Sequence, residues 1–115
     1  MESILSSVKK MIGIREEETH FDPDIIMHIN SVFMILDQLG QGPVNGFAIT
    51  GSNETWDDYF GENAANEAVK TYIGQKVKMI FDPPTSSALL DALKGCINEF
   101  EWRLSINNKG GRNDS

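Results

Sequence analysis

The chain has 115 residues, of which 40% are hydrophobic, and it carries a formal net charge of -7 at pH 7. This length favours one domain with one modest core, and the hydrophobic content is too high for a disordered chain. The acidic balance argues against a protein that grips nucleic acid through its phosphates, and no apolar run suits a membrane span or a signal peptide.

The first predicted helix covers roughly residues 3–12, where apolar residues recur at helical spacing and Gly13 offers a stop. The side chains expected to face the core are Ile4, Leu5, Val8, Met11 and Ile12. The acidic stretch 15–18 that follows is predicted to be a solvated connector or a short helical extension.

The second predicted helix has the clearest start, because Asp22 can cap it and Pro23 suits the first helical position. Gly40 is expected to end this helix. Its inward stripe is predicted to consist of Ile25, Ile29, Val32, Phe33, Leu36 and Leu39.

Residues 40–53 are rich in glycine and other turn formers and predict a long loop. A loop of this length in a compact domain is often functional. Thr55, with Asp58 three residues later, predicts the capping box of a short helix. The apolar and aromatic side chains of this region form a candidate docking loop for a partner protein: Phe47, Ile49, Trp56, Tyr59 and Phe60.

Two more long helices are predicted, over roughly residues 63–81 and 85–106, because Pro83 disfavours helical geometry at Asp82. The core residues expected on the first of these are Ala65, Val69, Tyr72, Ile73, Val77 and Ile80. Those expected on the second are Leu89, Leu93, Cys96, Ile97, Phe100 and Leu104. The predicted fold is all-α, a small bundle of about four helices in a single domain over residues 1–106, followed by a disordered tail at 107–115.

Two of these helices also carry apolar or small residues on the face away from the core. Ala88, Gly95 and Trp102 lie seven residues apart, and so do Met27 and Met34. A monomeric four-helix domain needs only one apolar face on each helix to form its core, so we predict that these second apolar faces form an interface between subunits. The candidate interface consists of Met27, Met34, Ala88, Gly95, Trp102 and Ile106. The alternative is that the small core wraps around both faces, or that the segment 40–60 covers one of them.

Residues that suggest chemistry all have simpler explanations. His20, Asp22 and Asp24 alternate as metal ligands might, yet both acids suit the start of a helix. The adjacent Asp57 and Asp58 diverge in direction on a helix, so they do not form a catalytic pair. We therefore predict no enzyme activity, no metal and no cofactor.

Two single residues need separate treatment. Cys96 is the one cysteine of the chain, which excludes an internal disulfide and favours a reducing cytoplasm. Lys76 falls within an apolar stripe. It is expected to extend its ammonium to water or, alternatively, to pair with a carboxylate across an interface.

Three runs of the chain carry a family resemblance: FDPDIIMHINSVFMILDQLG, FAITGSNETWDDYFG and AVKTYIGQKVKMIFDPPTSSALLDAL. They resemble bacteriophage head-tail connector proteins of tailed phages and prophages, over about residues 1–106. The TWDD turn and the DPPTS helix entry are the most specific pieces. Neither piece carries chemistry, so the resemblance implies a structural role without a cofactor.

The resemblance further implies a dodecameric ring of identical subunits beneath the portal protein, located at the head-tail junction of the virion after assembly in the host bacterial cytoplasm. Such a ring extends the DNA channel and offers a docking surface for a tail-side completion protein. DNA is expected to pass without specific binding, and the stretch 41–60, with three acids and no base, is a candidate for the channel wall.

The competing hypothesis is a small prophage-encoded adaptor, a dimer that binds a partner protein and has no role in the DNA channel. It would recognise its partner through Trp56, Tyr59 and Trp102.

Overall fold

The computed structural model describes residues 2–61 and 66–107, which contain five helices and no strand. The helices are α1 (Ile4–Met11), α2 (Asp22–Gln38), α3 (Trp56–Phe60), α4 (Glu67–Phe81) and α5 (Ser87–Asn107). An isolated antiparallel bridge joins Ser3 to Thr55. The predicted all-α class is thus confirmed. The predicted tail lies outside the described residues except for Asn107, which is helical, and Ala65 also lies outside them.

The helices α2 and α4 pack against each other at the centre, α1 packs on both of them, and α5 packs on α4. The stripe predicted for α2 is buried from Ile25 to Leu36, with Leu39 half-buried. Side chains of this size each contribute roughly 1.5–3 kcal/mol when fully buried. The remaining core residues come from every other helix and the loop before α3: Ile4, Leu5, Val8, Ile12, Ile49, Trp56, Tyr59, Val69, Tyr72, Ile73, Val77, Ile97 and Leu104.

The start of α2 differs from the prediction. Phe21 occupies the N-cap position, and no side chain caps the helix there. Asp22 lies in the first turn instead, where its Oδ1 is 2.8 Å from Nζ of Lys9. The prediction that Asp22 caps the helix is wrong, because α1 brings a lysine to this carboxylate from outside the helix.

Lys9 is only 2% exposed, and its ammonium is held by three oxygen atoms. Besides Asp22, it donates hydrogen bonds to the backbone carbonyls of Glu16, at 2.9 Å, and Glu18, at 2.6 Å. The ammonium is therefore held by two hydrogen bonds to carbonyl oxygens and by its ion pair with Asp22. The connector 15–18 has exposed side chains, as expected, but its backbone is fixed to α1 by this one residue.

The long loop before α3 is also tied to the helices. The side-chain amide of Asn30 donates to the Ile49 carbonyl at 2.9 Å and accepts from the Ile49 N–H at 2.8 Å. The predicted capping box of α3 is confirmed, since Thr55 and Asp58 exchange hydrogen bonds between side chain and backbone. These contacts hold the loop against α2.

Glu54 closes the turn in front of α3. Partial burial raises the pKa of this carboxyl. That effect is outweighed by hydrogen bonds that the Thr50 hydroxyl and the Thr50 and Gly51 backbone amides donate to the carboxylate, so the pKa lies below its usual value. Glu54 is therefore an acceptor that keeps its negative charge at neutral pH.

Several residues predicted to be in the core are exposed: Met11, Ile80, Leu89 and Cys96. Met11 and Ile80 stand at the ends of their helices, Leu89 lies on an exposed part of α5, and Cys96 lies at the open edge of the contact between α5 and α4. Periodicity tells which residues share a side of a helix, but it does not tell whether a neighbour covers that side. The start of α4 is corrected as well, because Asn66 caps it through hydrogen bonds from the amides of Ala68 and Val69.

Candidate functional site

The back of α5 is an open apolar face. Trp102 is 63% exposed and Ile106 is 44% exposed. Ala88 and Gly95 are exposed on the same side, and a Cβ atom added to Gly95 would meet no atom within 4 Å. This face therefore has room for another backbone to approach, with a large aromatic side chain at one end.

A second open apolar face lies on α2, on the side away from its buried stripe. Met27 is 57% exposed and Met34 is 65% exposed, and the two side chains are two helical turns apart. Ser31 lies between them and donates its hydroxyl to the Met27 carbonyl, so it adds no charge to the face. Flexible thioether side chains of this kind adapt to irregular partners.

All six residues of the predicted subunit interface are thus at the surface of the monomer. The alternative, in which the core or the loop covers these faces, does not occur among the described residues. A contact with another copy of the chain stays a prediction.

The position of α5 on α4 is fixed by one polar cluster. Glu101 accepts a hydrogen bond from the Tyr72 hydroxyl at 2.7 Å, and its Oε2 lies 3.0 Å from Nζ of Lys76. The rings of Tyr72 and Phe100 stack with centroids 5.2 Å apart. Lys76 therefore pairs with a carboxylate of its own chain and not across an interface, and its side chain remains 25% exposed.

Burial raises the pKa of the Tyr72 hydroxyl strongly, and the hydrogen bond to Glu101 and the negative charge of that carboxylate raise it further. The hydroxyl is therefore a fixed donor at neutral pH. Together with the buried Ile97 and Leu104, it joins the C-terminal half of α5, which carries Trp102, to α4.

The candidate docking loop is arranged differently from the candidate interface. Ile49, Trp56 and Tyr59 are buried in the core, and Phe47 and Phe60 are half-buried against it. Tyr59 contacts the rings of Phe33, Phe47 and Phe60. In the monomer the three buried side chains have almost no surface left for a partner, so any docking by this segment falls to its exposed edge.

Three exposed apolar residues were not predicted for any site: Leu89, Phe21 and Val44. Phe21 lies within a short series of edge-to-face rings, in contact with His20 on one side and Phe81 on the other. The sequence carries a partial signal for these residues, because Leu89 stands next to Ala88 and Phe21 precedes α2 by one residue. Nothing in their spacing distinguishes them from core residues.

The described residues contain no group of three or more His, Cys, Asp or Glu side chains that could hold a metal ion. His20, Asp22 and Asp24 are not brought together as ligands. Within residues 2–61 and 66–107, no helix has both the length and the apolar character needed to cross a bilayer. Cys96 is exposed at a cleft between α4 and α5 that also contains Gln75 and Arg103.

Comparison with known proteins gives one match. A family model described as "Phage connector protein" matches residues 4–111, which is nearly the whole chain. The curated proteins and the solved structures give no match.

Proposed function

This chain belongs to the phage connector protein family, and from that premise we propose that it is a subunit of a head-tail connector ring beneath the portal protein. In this role the ring extends the DNA channel and offers the docking surface for a tail-side completion protein. The family membership itself makes the chain a structural component of a phage connector, and so of the virion. Ring formation, portal binding and tail docking are the proposed steps, and none of them requires catalysis.

The observation that carries the proposal is the pair of open apolar faces on α2 and α5. A ring closes by head-to-tail contacts, in which each subunit uses two different surfaces. The chain offers two such surfaces, one built on Met27 and Met34 and the other on Trp102 and its small neighbours. Exposed apolar surface of this kind marks sites of protein–protein contact.

The acidic character of the chain supports the channel role. Glu54, Asp57 and Asp58 belong to a stretch that carries no basic residue. Glu54 and Asp58 accept hydrogen bonds in the turn and the capping box before α3, and Asp57 and Asp58 are exposed to water. A channel wall with such charges repels phosphate groups, so DNA passes without adhering.

Native mass spectrometry and electron microscopy of the purified chain, alone and mixed with the portal protein, test this proposal. We expect closed oligomers, with the symmetry of the portal when the portal is present. A chain that stays monomeric under both conditions and leaves the portal unchanged would contradict it.

One observation favours a second candidate, the dimeric adaptor. Ala88 and Trp102 are placed symmetrically about Gly95. In an antiparallel pair of α5 helices that cross at Gly95, the Trp102 side chain of each copy would therefore lie over Ala88 of the other. Of the aromatic residues assigned to this adaptor, only Trp102 is exposed. A stable dimer that ignores the portal would support it.

A further inference from the structure

We propose that the two open faces bind each other, so that the Met27–Met34 face of α2 in one copy packs on the back of α5 in the next copy, with the two helices antiparallel. This inference rests on the proposed ring, and it adds which surfaces meet, in which direction and in which register.

The spacing of the two faces matches. Met27 and Met34 are seven residues apart, and so are Ala88 and Gly95. In an α-helix this separation is about 10.5 Å along the axis, with both side chains on nearly the same side. Two long side chains on one helix thus have two small residues at the same spacing on the other. Large side chains that fit between small ones produce close helix packing.

Each face fits the other better than it fits itself. Two methionine faces that meet would hold their helices apart, because four long side chains would compete for one seam. Two α5 faces fit together only in the antiparallel dimer described above, and that dimer leaves Met27 and Met34 in water at 57% and 65% exposure. The contact between α2 and α5 covers both faces at once.

The antiparallel direction follows from Trp102. When Gly95 lies opposite Met27 and Ala88 opposite Met34, Trp102 reaches the N-terminal end of α2, next to the turn that contains His20 and Phe21. His20 and Phe21 are exposed there as an edge-to-face ring pair with centroids 4.9 Å apart. Trp102 then finds aromatic partners. In the parallel direction Trp102 would come level with Gln41.

The charges near this contact are compatible with it. In the antiparallel register Ser31 lies opposite Asp91, and Asp24 lies opposite Asn98. The carboxylate nearest to Asp24 across this contact is that of Glu99, one residue further along α5, and it is paired with Arg103 of its own helix at 2.6 Å. The contact is heterologous, so it can repeat from copy to copy around a ring.

Disulfide trapping tests the pairing. Cys96 is first changed to Ser, and Met27→Cys and Gly95→Cys are then introduced together in the same chain. A disulfide needs Cα atoms closer than about 7 Å, so oxidation is expected to produce a ladder of covalently linked oligomers from most of the chains. Each single cysteine variant is expected to stay unlinked, because its partner cysteine is missing. All the positions changed are exposed, and circular dichroism checks that the variants fold.

The matched control combines Met34→Cys with Gly95→Cys. In the antiparallel register these two cysteines are separated by about 10.5 Å along the helix axis, so the control is expected to remain unlinked. A ladder from this control alone would establish the parallel direction and overturn the proposal. Linkage of Gly95→Cys by itself would reveal the α5 dimer and overturn it in favour of the adaptor. If closed rings form but Met27→Cys and Gly95→Cys are not linked, the proposed contact between α2 and α5 is rejected, whereas the proposed ring is not. A chain that never assembles, alone or with portal, would count against both.

Discussion

The helices α2 and α5 have similar sequences in one respect, since both carry apolar residues on two sides, yet they lie in very different surroundings. The inward stripe of α2 is buried from Ile25 to Leu36, because α1, α4 and the loop around Ile49 cover it. Among residues 87–106 of α5, only Ile97 and Leu104 are buried, although this helix, with 21 residues, is the longest that the structure describes.

This difference teaches where stability and assembly reside in the chain. The part built on α1, α2 and α4 has a dense core and a buried ammonium that contacts two carbonyl oxygens and one carboxylate. The helix α5 is attached to that part by a seam and the Glu101 cluster, and it presents apolar surface outward. Changes in the first part should therefore affect folding, whereas changes on the back of α5 should affect assembly and leave folding nearly intact.

The two tryptophans give the largest contrast. Trp56 is buried and Trp102 is exposed. Trp56→Ala is expected to lower the free energy of unfolding by about 3–5 kcal/mol, because a large cavity is left in the core. Trp102→Ala is expected to change it by less than about 0.5 kcal/mol while it weakens assembly. Urea unfolding and native mass spectrometry measure the two effects. Equal losses of stability in Trp56→Ala and Trp102→Ala would contradict the distinction between the α1–α2–α4 core and the back of α5.

Lys9 is the next test, because it holds the connector and the start of α2 together. Lys9→Met is expected to lower the free energy of unfolding by about 3 kcal/mol, because Asp22 loses its ion pair and two backbone carbonyls lose their hydrogen-bond donor. The neighbouring Lys10 is exposed, and its ion pair with Glu2 is long, at 3.8 Å. Lys10→Met should therefore lower the free energy of unfolding by less than about 0.5 kcal/mol. Chemical denaturation of both variants decides. A Lys9→Met protein as stable as the Lys10→Met protein would show that the buried ammonium contributes little.

A pair of helical glycines gives a smaller contrast. A Cβ added to Gly74 would lie 3.2 Å from Cβ of Met11 and 2.5 Å from its Sδ, whereas Gly95 is open. Under monomeric conditions Gly95→Ala is expected to gain up to about 1 kcal/mol from helix propensity. At Gly74 the gain is offset by crowding between α1 and α4, so Gly74→Ala should be less stable than Gly95→Ala by roughly 1 kcal/mol. The reverse order in urea midpoints would contradict the close α1–α4 packing.

The attachment of α5 gives the smallest effect, and it depends on pH. Because the pKa of Tyr72 is raised in the folded state, its stabilising contribution is fully present below the unfolded-state value of about 10 and declines as the pH rises above it. Tyr72→Phe is expected to be about 1 kcal/mol less stable than the wild type at pH 8, with a smaller difference above pH 10. A stability difference between Tyr72→Phe and the wild type that stays constant to pH 11 would mean that packing against α5 does not hinder ionisation of the hydroxyl.

Much of the fold follows from the sequence, because the signals are local. The stripe from Ile25 to Leu36 and the capping box of Thr55 and Asp58 depend on spacing within one segment, and both are as predicted. The exposed faces around Met27 and Trp102 were also recognisable, since in the sequence each lies opposite a stripe with the spacing of core residues.

What the sequence did not reveal depends on long-range neighbours. Lys9 is buried because the connector 15–18 and the start of α2 pack over it. Lys76 of α4 pairs with Glu101 of α5, which is distant in the sequence. Leu89 and Cys96 have the spacing of core residues, yet no other helix covers them. Partner identity has no local signature at all, which is why the docking role of the segment from Phe47 to Phe60 stays a prediction.

The fluorescence of Trp102 tests the central claim most directly. In a Trp56→Phe background Trp102 is the one remaining tryptophan, and in the dilute monomer it should emit as an indole in water. We predict that its emission moves to shorter wavelength, and that iodide quenches it less, as the chain assembles alone or with the portal protein. Emission that stays that of a water-exposed indole while rings form would contradict the claim that this face meets sister copies.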